Sequence, residues 1–153
     1  MPNTHSFKRR VAGQRGAALL EVAMTLPLLL LVSVGIFEFG RAFQTWQVLT
    51  NAAREGARVA VLPNAAASTV QQRVRSYMQS GQLPGYDTAT VSVDSNGSIS
   101  MGAGNASASV VTVTYPFDFV VLNPVARLVV GTSQLGSPIT MTASAAMRNE
   151  SQF

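Results

Sequence analysis

The stretch that decides the fold is RGAALLEVAMTLPLLLLVSVGIFEFGRAF, residues 15–43. Within it, residues 17–37 contain a single ionisable side chain, Glu21. A helix over residues 17–37 is about 30 Å long, which matches the hydrocarbon thickness of a bilayer. A cleaved secretory signal has a shorter apolar region and a small-residue cleavage site, for which only residues 40–42 offer a weak match. The sequence therefore predicts one transmembrane helix over residues 17–37.

The charge of the chain is concentrated at its N-terminus. Residues 1–16 hold Lys8, Arg9, Arg10 and Arg15 and no carboxylate, while the basic and acidic residues that follow balance, so the net charge of +4 belongs to this leader. Because the rest of the chain is neutral, we expect no nucleic-acid partner. Basic residues favour the cytoplasmic side of a membrane. The sequence thus predicts a cytoplasmic segment 1–16 and, for a bacterium, a periplasmic body, with membrane lipid as a partner.

Two residues inside the predicted span need an explanation. Pro27 removes a backbone donor and predicts a kink, although membrane helices also tolerate proline. A carboxylate in hydrocarbon, as at Glu21, costs about 2–3 kcal/mol even on lenient insertion scales. Either Glu21 lies close enough to the interface to reach water, or it pairs with a positive charge. Cleavage after Gly16 would create such a charge, the free amine of Ala17.

The junction between leader and span resembles a known type of signal. A short basic leader, glycine at position 16 and glutamate five residues later are similar to the class III signal peptides of type IV pilin-like proteins. A prepilin peptidase cuts these after the glycine. The resemblance implies that Gly16 and Ala17 flank a cleavage site, and that Glu21 pairs with an N-terminal amine to set the register between subunits.

A second motif narrows the family. Residues 51–58, NAAREGAR, resemble the signature that follows the membrane helix in TadE-like proteins of the tight-adherence (Flp pilus) system, and the resemblance covers residues 15–60. Val22 stands where Flp major pilins usually have tyrosine, which favours a minor pilin, or pseudopilin. The motif also singles out Arg54, Glu55, Gly56 and Arg58, either as inter-subunit contacts or as an ordinary solvated helix face.

The resemblance implies a non-catalytic minor pilin in the bacterial inner membrane that primes or caps pilus assembly. Its partners would be a prepilin peptidase, other minor pilins, the major pilin and the inner-membrane assembly platform. A static membrane-anchored periplasmic binding or scaffold protein is the alternative. These two interpretations differ in whether the helix ever leaves the bilayer.

The remaining sequence predicts a small α+β domain of pilin-like architecture. Residues 38–62 read as an amphipathic helix that ends at Leu62-Pro63-Asn64 and excludes Glu38 from its apolar stripe. That stripe is Phe39, Phe43, Trp46, Thr50, Ala53, Ala57 and Val61. Residues 63–153 form the predicted periplasmic domain. Its first element is a helix over 68–80, with Ser68 as N-cap, Tyr77 on its apolar face and Gly81 as its stop. A strand over 89–94 follows, then a turn at 95–97 and a loop over 95–109. The last three elements are a strand over 109–115, a helix over 123–130 and a strand over 139–147. We expect a three-stranded antiparallel sheet packed on the amphipathic helix.

Catalytic side chains are scarce. The chain has no cysteine and one histidine, His5, which lies in the leader. Sites of the Ser-His-Asp and Cys-His types and zinc sites built on imidazole or thiolate are therefore excluded from the body. An acid-catalysed hydrolase would have to use Asp87, Asp94 or Asp118, each beside a turn or a strand end, where solvated aspartate is common. Calcium at residues 94–97 would lack the usual bidentate glutamate. We expect no enzyme activity, cofactor or metal.

Overall fold

The computed structural model describes residues 5–102, 104–129 and 134–149. The chain divides into two compact units, the first comprising Met1–Glu38 and Val120–Gly136 and the second comprising Phe39–Phe119 and Ser137–Phe153. The elements are α1 (His5–Ala60), α2 (Ala67–Ser80), a 3₁₀ turn (Tyr86–Thr88), β1 (Thr90–Met101), β2 (Gly104–Phe117), α3 (Leu122–Val129) and β3 (Ile139–Arg148). The predicted α+β class and the predicted order of elements are confirmed.

The long helix α1 fits a single-pass membrane anchor. Its part from Gly16 to Ala60 contains a window of mean hydropathy 2.2, none of which is buried inside the protein. Pro27 lies within the helix without ending it. The hydroxyl groups of Thr25 and Ser33 donate to the carbonyls of Glu21 and Leu29, at 2.9 and 2.8 Å. The helix therefore satisfies these polar groups itself, as an apolar surrounding requires.

The first helix ends where the sequence predicts. The last helical residue is Ala60, and Asn64 has a positive φ of 59°. Left-handed backbone cannot continue a right-handed helix. The start of α2 differs from the prediction, because its N-cap is Ala66, which makes no side-chain cap, and Ser68 lies inside the helix. Gly81 ends α2 as predicted, with its N–H donating to the carbonyl of Tyr77 at 3.0 Å.

The sheet has the order β1-β2-β3 with both pairs antiparallel. In its register Val91 pairs with Val113, and Val113 with Ala143. These three side chains are buried, since alternate residues of each strand face the helices. The predicted three-stranded antiparallel sheet is confirmed. The helix predicted over 123–130 begins one residue earlier, at Leu122, and its predicted end at Val130 lies outside the described residues.

The predicted turn at residues 95–97 and loop over 95–109 are wrong. The first strand continues to Met101, and Gly102, with a φ of 66°, lies at the turn of a longer hairpin. Between Asp94 and Gly97 the register shifts by a bulge. The carboxylate of Asp94 accepts the N–H of Asn96 at 2.9 Å, a local turn that a bulge accommodates without reversing the chain. The Asp-Ser-Asn-Gly pattern therefore marked an irregularity within a strand.

The core of the second unit lies between the C-terminal part of α1, α2 and the sheet. The residues of α1 that are buried there are Thr45, Leu49, Ala52, Ala53, Gly56 and Ala57. On α2, Val70, Val74 and Met78 are buried, whereas Tyr77, predicted on the same face, is exposed. The sheet contributes Val91, Val111, Val113, Tyr115, Phe117, Met141 and Ala143. This single cluster is the hydrophobic core of the second unit.

The N-terminal half of the predicted stripe on α1 is wrong. Phe39, Phe43 and Trp46 are exposed, Phe39 by 67 %. The helix instead buries the neighbouring face, whose residues are small from Ala52 onward. Small side chains let another helix and a sheet approach closely, whereas bulky aromatic rings would hold them apart. Helical periodicity alone is compatible with burial of either face of α1. The size of the side chains therefore decides which of the two faces is buried.

Gly56 is the point of closest approach. A Cβ atom at this position would lie 2.5 Å from Cγ2 of Val74 on α2 and 3.1 Å from Cγ1 of Val111 on β2. Separations of this size lie inside ordinary van der Waals contact, so a larger side chain would push the layers apart. The glycine thus fixes how tightly α2 and the sheet pack on α1.

We predict that Gly56→Ala destabilises the protein. Alanine gains about 0.5–1 kcal/mol of helix propensity, but forcing a methyl group into a packed core typically costs about 1–3 kcal/mol. The matched control is Gly40→Ala in the same helix, where a Cβ meets nothing within 4 Å and stability should hold or rise. Denaturant unfolding of the full-length protein in detergent, followed by circular dichroism, measures both. Equal stability of the two variants would contradict the packing role of Gly56.

Candidate functional site

The predicted cleavage and register residues lie on the exposed surface of α1. Gly16, Ala17 and Glu21 are all exposed, and the helix runs through them from His5. A Cβ at Gly16 would meet nothing within 4 Å among the described residues, so packing in this part of the chain does not require glycine there. Residues 1–4 of the predicted leader lie outside the described residues. The geometry leaves this surface accessible to another protein.

Glu55 joins α1 to α2. Its Oε1 accepts from Nε and Nη2 of Arg73 at 3.1 and 2.7 Å, while Arg58 approaches Oε2 only to 3.7 Å. The guanidinium of Arg73 thus makes a two-pronged contact, and Arg58, whose side chain is 71 % exposed, adds little. Sequence reasoning missed Arg73, because two residues on different helices leave no local pattern.

The four residues singled out in the NAAREGAR motif differ in their burial. Gly56 is buried against α2 and β2 of its own chain, and its predicted contact with another subunit stays a prediction. Arg54 and Arg58 are exposed and lie one helical turn apart. Glu55 is partly exposed and already paired with Arg73. The surface that this motif offers to a partner is therefore cationic.

Glu38 is a buried carboxylate that the sequence reading placed outside the buried face. Its side chain is completely buried, and its Oε1 accepts the N–H of Val121 at 2.5 Å. Val121 directly precedes α3, and its carbonyl accepts the N–H of Val125 at 3.1 Å, as the residue before a helix does. A negative charge at a helix N-terminus is favourable. The signal for Glu38 was an acid directly after the span, but its partner is distant in sequence.

Tyr115 is a buried residue of β2 in the second unit, two positions before an aromatic pair. Its hydroxyl donates to the carbonyl of Pro84. Phe117 packs edge-on against Phe119 with ring centroids 5.1 Å apart, and the guanidinium of Arg41 lies 5.4 Å from the Phe117 ring centroid. Burial raises the pKa of Tyr115, the negative charge of Asp118 raises this pKa further, and Arg41 lowers it. The neutral phenol is therefore favoured in the folded protein.

The three aspartates considered for catalysis each take part in local structure or local electrostatics. Asp94 accepts a backbone N–H in its bulge, and Asp87 belongs to the 3₁₀ turn. Asp118 raises the pKa of Tyr115. Over residues 5–102, 104–129 and 134–149, no three His, Cys, Asp or Glu side chains are grouped so as to hold a metal ion.

Comparison with known proteins bears on α1 alone. Residues 16–58 match the family model described as TadE-like protein. This match confirms the resemblance drawn from the RGAALLE and NAAREGAR motifs. TadE-like proteins are pilin-like structural components associated with the Tad pilus and are not known as an enzyme family. No curated protein and no solved structure matches the chain.

The TadE-like match covers the predicted span, Glu21, Glu38 and the NAAREGAR motif. It ends at Arg58, before α2 and the three strands begin. The part of α1 that packs on the second unit and the part that fits a membrane anchor are therefore both within the matched residues.

We predict that Tyr115→Phe changes how stability depends on pH. In the wild type, the raised pKa of Tyr115 contributes stability that is present below the unfolded value of 10.0 and is lost as pH rises through the folded value. The variant cannot ionise at this position, so its decline above pH 10 should be shallower. At pH 8 it should be less stable by about 0.5–1.5 kcal/mol, because the Pro84 carbonyl loses its donor.

Guanidinium unfolding of the full-length protein at pH 8 and at pH 11 measures both effects. The two proteins differ only at position 115, so the comparison between them isolates this residue. Parallel declines for wild type and variant would contradict the altered pKa of Tyr115.

Proposed function

We propose that this protein is a minor pilin, or pseudopilin, of a tight-adherence (Flp, type IVc) pilus system. The observation that supports it most is the TadE-like match over residues 16–58, on a helix whose apolar window is entirely unburied by the chain itself. Such a surface needs lipid or other apolar helices around it. A pilin helix meets both, first in the bilayer and then among neighbouring subunits.

The proposal divides the chain by task. Residues 1–16 are a cytoplasmic leader removed by a prepilin peptidase, residues 17–37 cross the inner membrane, residues 38–62 extend the helix and residues 63–153 lie in the periplasm. The protein contacts other minor pilins, the major pilin and the inner-membrane assembly platform, and it primes or caps the fibre without catalysis.

Glu21 has the central role in this mechanism. It is exposed on α1, and its backbone carbonyl already accepts the Thr25 hydroxyl, so its carboxylate is the group available to a partner. In an assembled bundle of apolar helices, the free amine of Ala17, from the same or a neighbouring subunit, would be that partner. One charge pair in a uniform apolar surface sets the register between subunits. Exposed Arg54 and Arg58 then provide a cationic contact further along the same helix.

A static periplasmic anchor or scaffold is the alternative. It uses the same unburied helix surface but leaves α1 in the bilayer permanently, with lipid as its only neighbour. Such a protein needs neither a cut after Gly16 nor a carboxylate at position 21. Those two features therefore separate the proposals.

We predict that the mature protein begins at Ala17. Gly16 directly precedes the apolar run, follows a basic leader without carboxylates and has no packing reason to be glycine. Mass spectrometry of the protein purified from membranes of its native host determines the N-terminus. Gly16→Leu is the matched variant and should retain the leader. A wild-type protein with an intact leader, or one that begins after Ala42, would contradict the pseudopilin proposal.

We predict that Glu21→Ala leaves membrane insertion intact and abolishes pilus assembly. Removing the carboxylate makes the span more apolar, so insertion should not suffer. In the assembled bundle it leaves a buried ammonium unpaired, which typically costs about 3–5 kcal/mol. Glu21→Asp should be partly defective, because it keeps the charge but loses reach.

The measurements are pilus production and surface adherence in a complemented deletion strain, with membrane fractionation of each variant. Thr25→Val is the control one turn away, since the Thr25 hydroxyl bonds within its own helix and should be dispensable for assembly. Full adherence by a normally fractionating Glu21→Ala protein would favour the static anchor.

A further inference from the structure

The two described ends of the segment Val120–Gly136, which belongs to the same compact unit as the N-terminal part of α1, lie close together. The side-chain amide of Asn123 donates to the carbonyl of Leu135 at 3.3 Å. Gly136 has a φ of 73°, and a Cβ there would lie 2.6 Å from the backbone nitrogen of Asn123. The residues at the two ends of the segment are thus held next to each other at the start of α3.

Glu38 attaches these closed ends to α1. Its carboxylate accepts the N–H of Val121 at 2.5 Å and is completely buried. Glu38 is also the first residue after the apolar run 17–37. The start and the end of the segment therefore lie at the level along the helix axis where the proposed membrane span ends.

Large apolar side chains are exposed at this level. Val120 and Leu135, one at each end of the segment, are both 61 % exposed, and Ile36 and Phe37 are exposed on α1 itself. We call these four residues the collar. Exposing such side chains to water costs about 25 cal/mol for each Å² of apolar surface. Single exposed apolar residues are common, but these adjoin a helix surface that is itself apolar and uncovered.

We propose that Val120 and Leu135 insert into the boundary between headgroups and acyl chains beside the point where α1 leaves the bilayer, so that these two ends of the segment form a second membrane contact. Lipid is the occupant because Val120 and Leu135 lie at the level of Ile36 and Phe37, which the proposed span already presents to lipid. Elements at a membrane surface bury their apolar side about 5–10 Å into this boundary. Arg127, exposed on α3, adds a positive charge that anionic headgroups would attract.

This inference rests on the proposed membrane anchor. It adds that the protein also contacts the membrane at the end of the span, beside Glu38. A helix held only by its own span can rotate about its axis, and only its tilt is limited by the thickness of the bilayer. A second contact at one side of the helix fixes its rotation, and so fixes which face of α1 meets a neighbouring subunit. Glu38 is the positioning residue, since it holds the segment at the required level.

The experiment uses the absence of cysteine from the natural chain. Full-length single-cysteine variants Val120→Cys and Leu135→Cys carry a nitroxide label and are reconstituted in vesicles of phosphatidylcholine and phosphatidylglycerol. Electron paramagnetic resonance then compares the access of oxygen, which concentrates in the bilayer, with that of a water-soluble nickel chelate. Ile36→Cys is the control inside the span, and Ser98→Cys, at an exposed position of β1, is the control in water.

We expect the labels at 120 and 135 to behave like the label at 36, with oxygen access exceeding nickel access, and the label at 98 to show the reverse. Behaviour like that of position 98 would overturn the second contact while leaving the anchor intact. Low access to both reagents would also overturn it, because protein and not lipid would then cover the collar. Nickel access at position 36 would overturn the membrane anchor itself.

Two variants of Glu38 test its positioning role. Glu38→Gln keeps an oxygen that accepts the Val121 N–H and should retain the oxygen preference at 120 and 135. Glu38→Ala removes the acceptor and should shift both labels toward nickel access, with position 36 unchanged and the circular dichroism spectrum retained. A Glu38→Ala protein with unchanged labels would remove Glu38 from the proposal.

Discussion

The fold depends on a single helix that has to satisfy two different surroundings. Over residues 17–37 α1 is apolar on all sides and buries nothing within its own chain, as an element in lipid should. From Leu49 onward the same helix has one buried face of small residues, including Ala52, Ala53 and Gly56, on which α2 and the sheet pack. Because Gly56 admits Val74 and Val111 at contact distance, this narrow face holds the second unit together.

Charged residues mark where one surrounding gives way to the other. Glu38 is fully buried, and it accepts the N–H of the residue that precedes α3. An uncompensated carboxylate would be costly there, and the hydrogen bond together with the start of a helix offsets that cost. Glu55, four to five turns further on, has a polar setting and pairs with Arg73 across two helices. The two acids of α1 beyond the span thus each attach a later segment of the chain to it.

The sequence predicted those features that depend on local pattern. Hydropathy located the apolar part of α1, and Pro63 and Asn64 marked its end. A run of valine and threonine indicated the strand over 109–115, and the strand predicted over 139–147 is also present. Glycine before the span and NAAREGAR after it were enough to identify the TadE-like resemblance over residues that the family model also matches. Each of these signals is contained within a short window.

Apart from the N-cap of α2, the features that sequence reasoning missed depend on contacts between distant residues. The aromatic residues Phe39, Phe43 and Trp46 have helical spacing and the greatest hydrophobicity, yet the face beside them is buried because only small side chains fit against α2 and the sheet. Likewise, Asp94 to Gly97 has the composition of a turn, and only the pairing partner of the strand decides between a turn and a bulge.

The apolar surface of residues 17–37 contributes no side chain to the core cluster of its own chain, so in the proposed pilus its burial would come from assembly. Moving that surface from lipid to a bundle of other apolar helices gains little hydrophobic free energy, because both surroundings are equally apolar. Transfer between the two is therefore nearly balanced, and a small number of polar interactions can decide it. Glu21 is the one ionisable side chain between Ala17 and Phe37, and in the proposed assembly the choice of neighbour and register would depend on it more than on any leucine of that stretch.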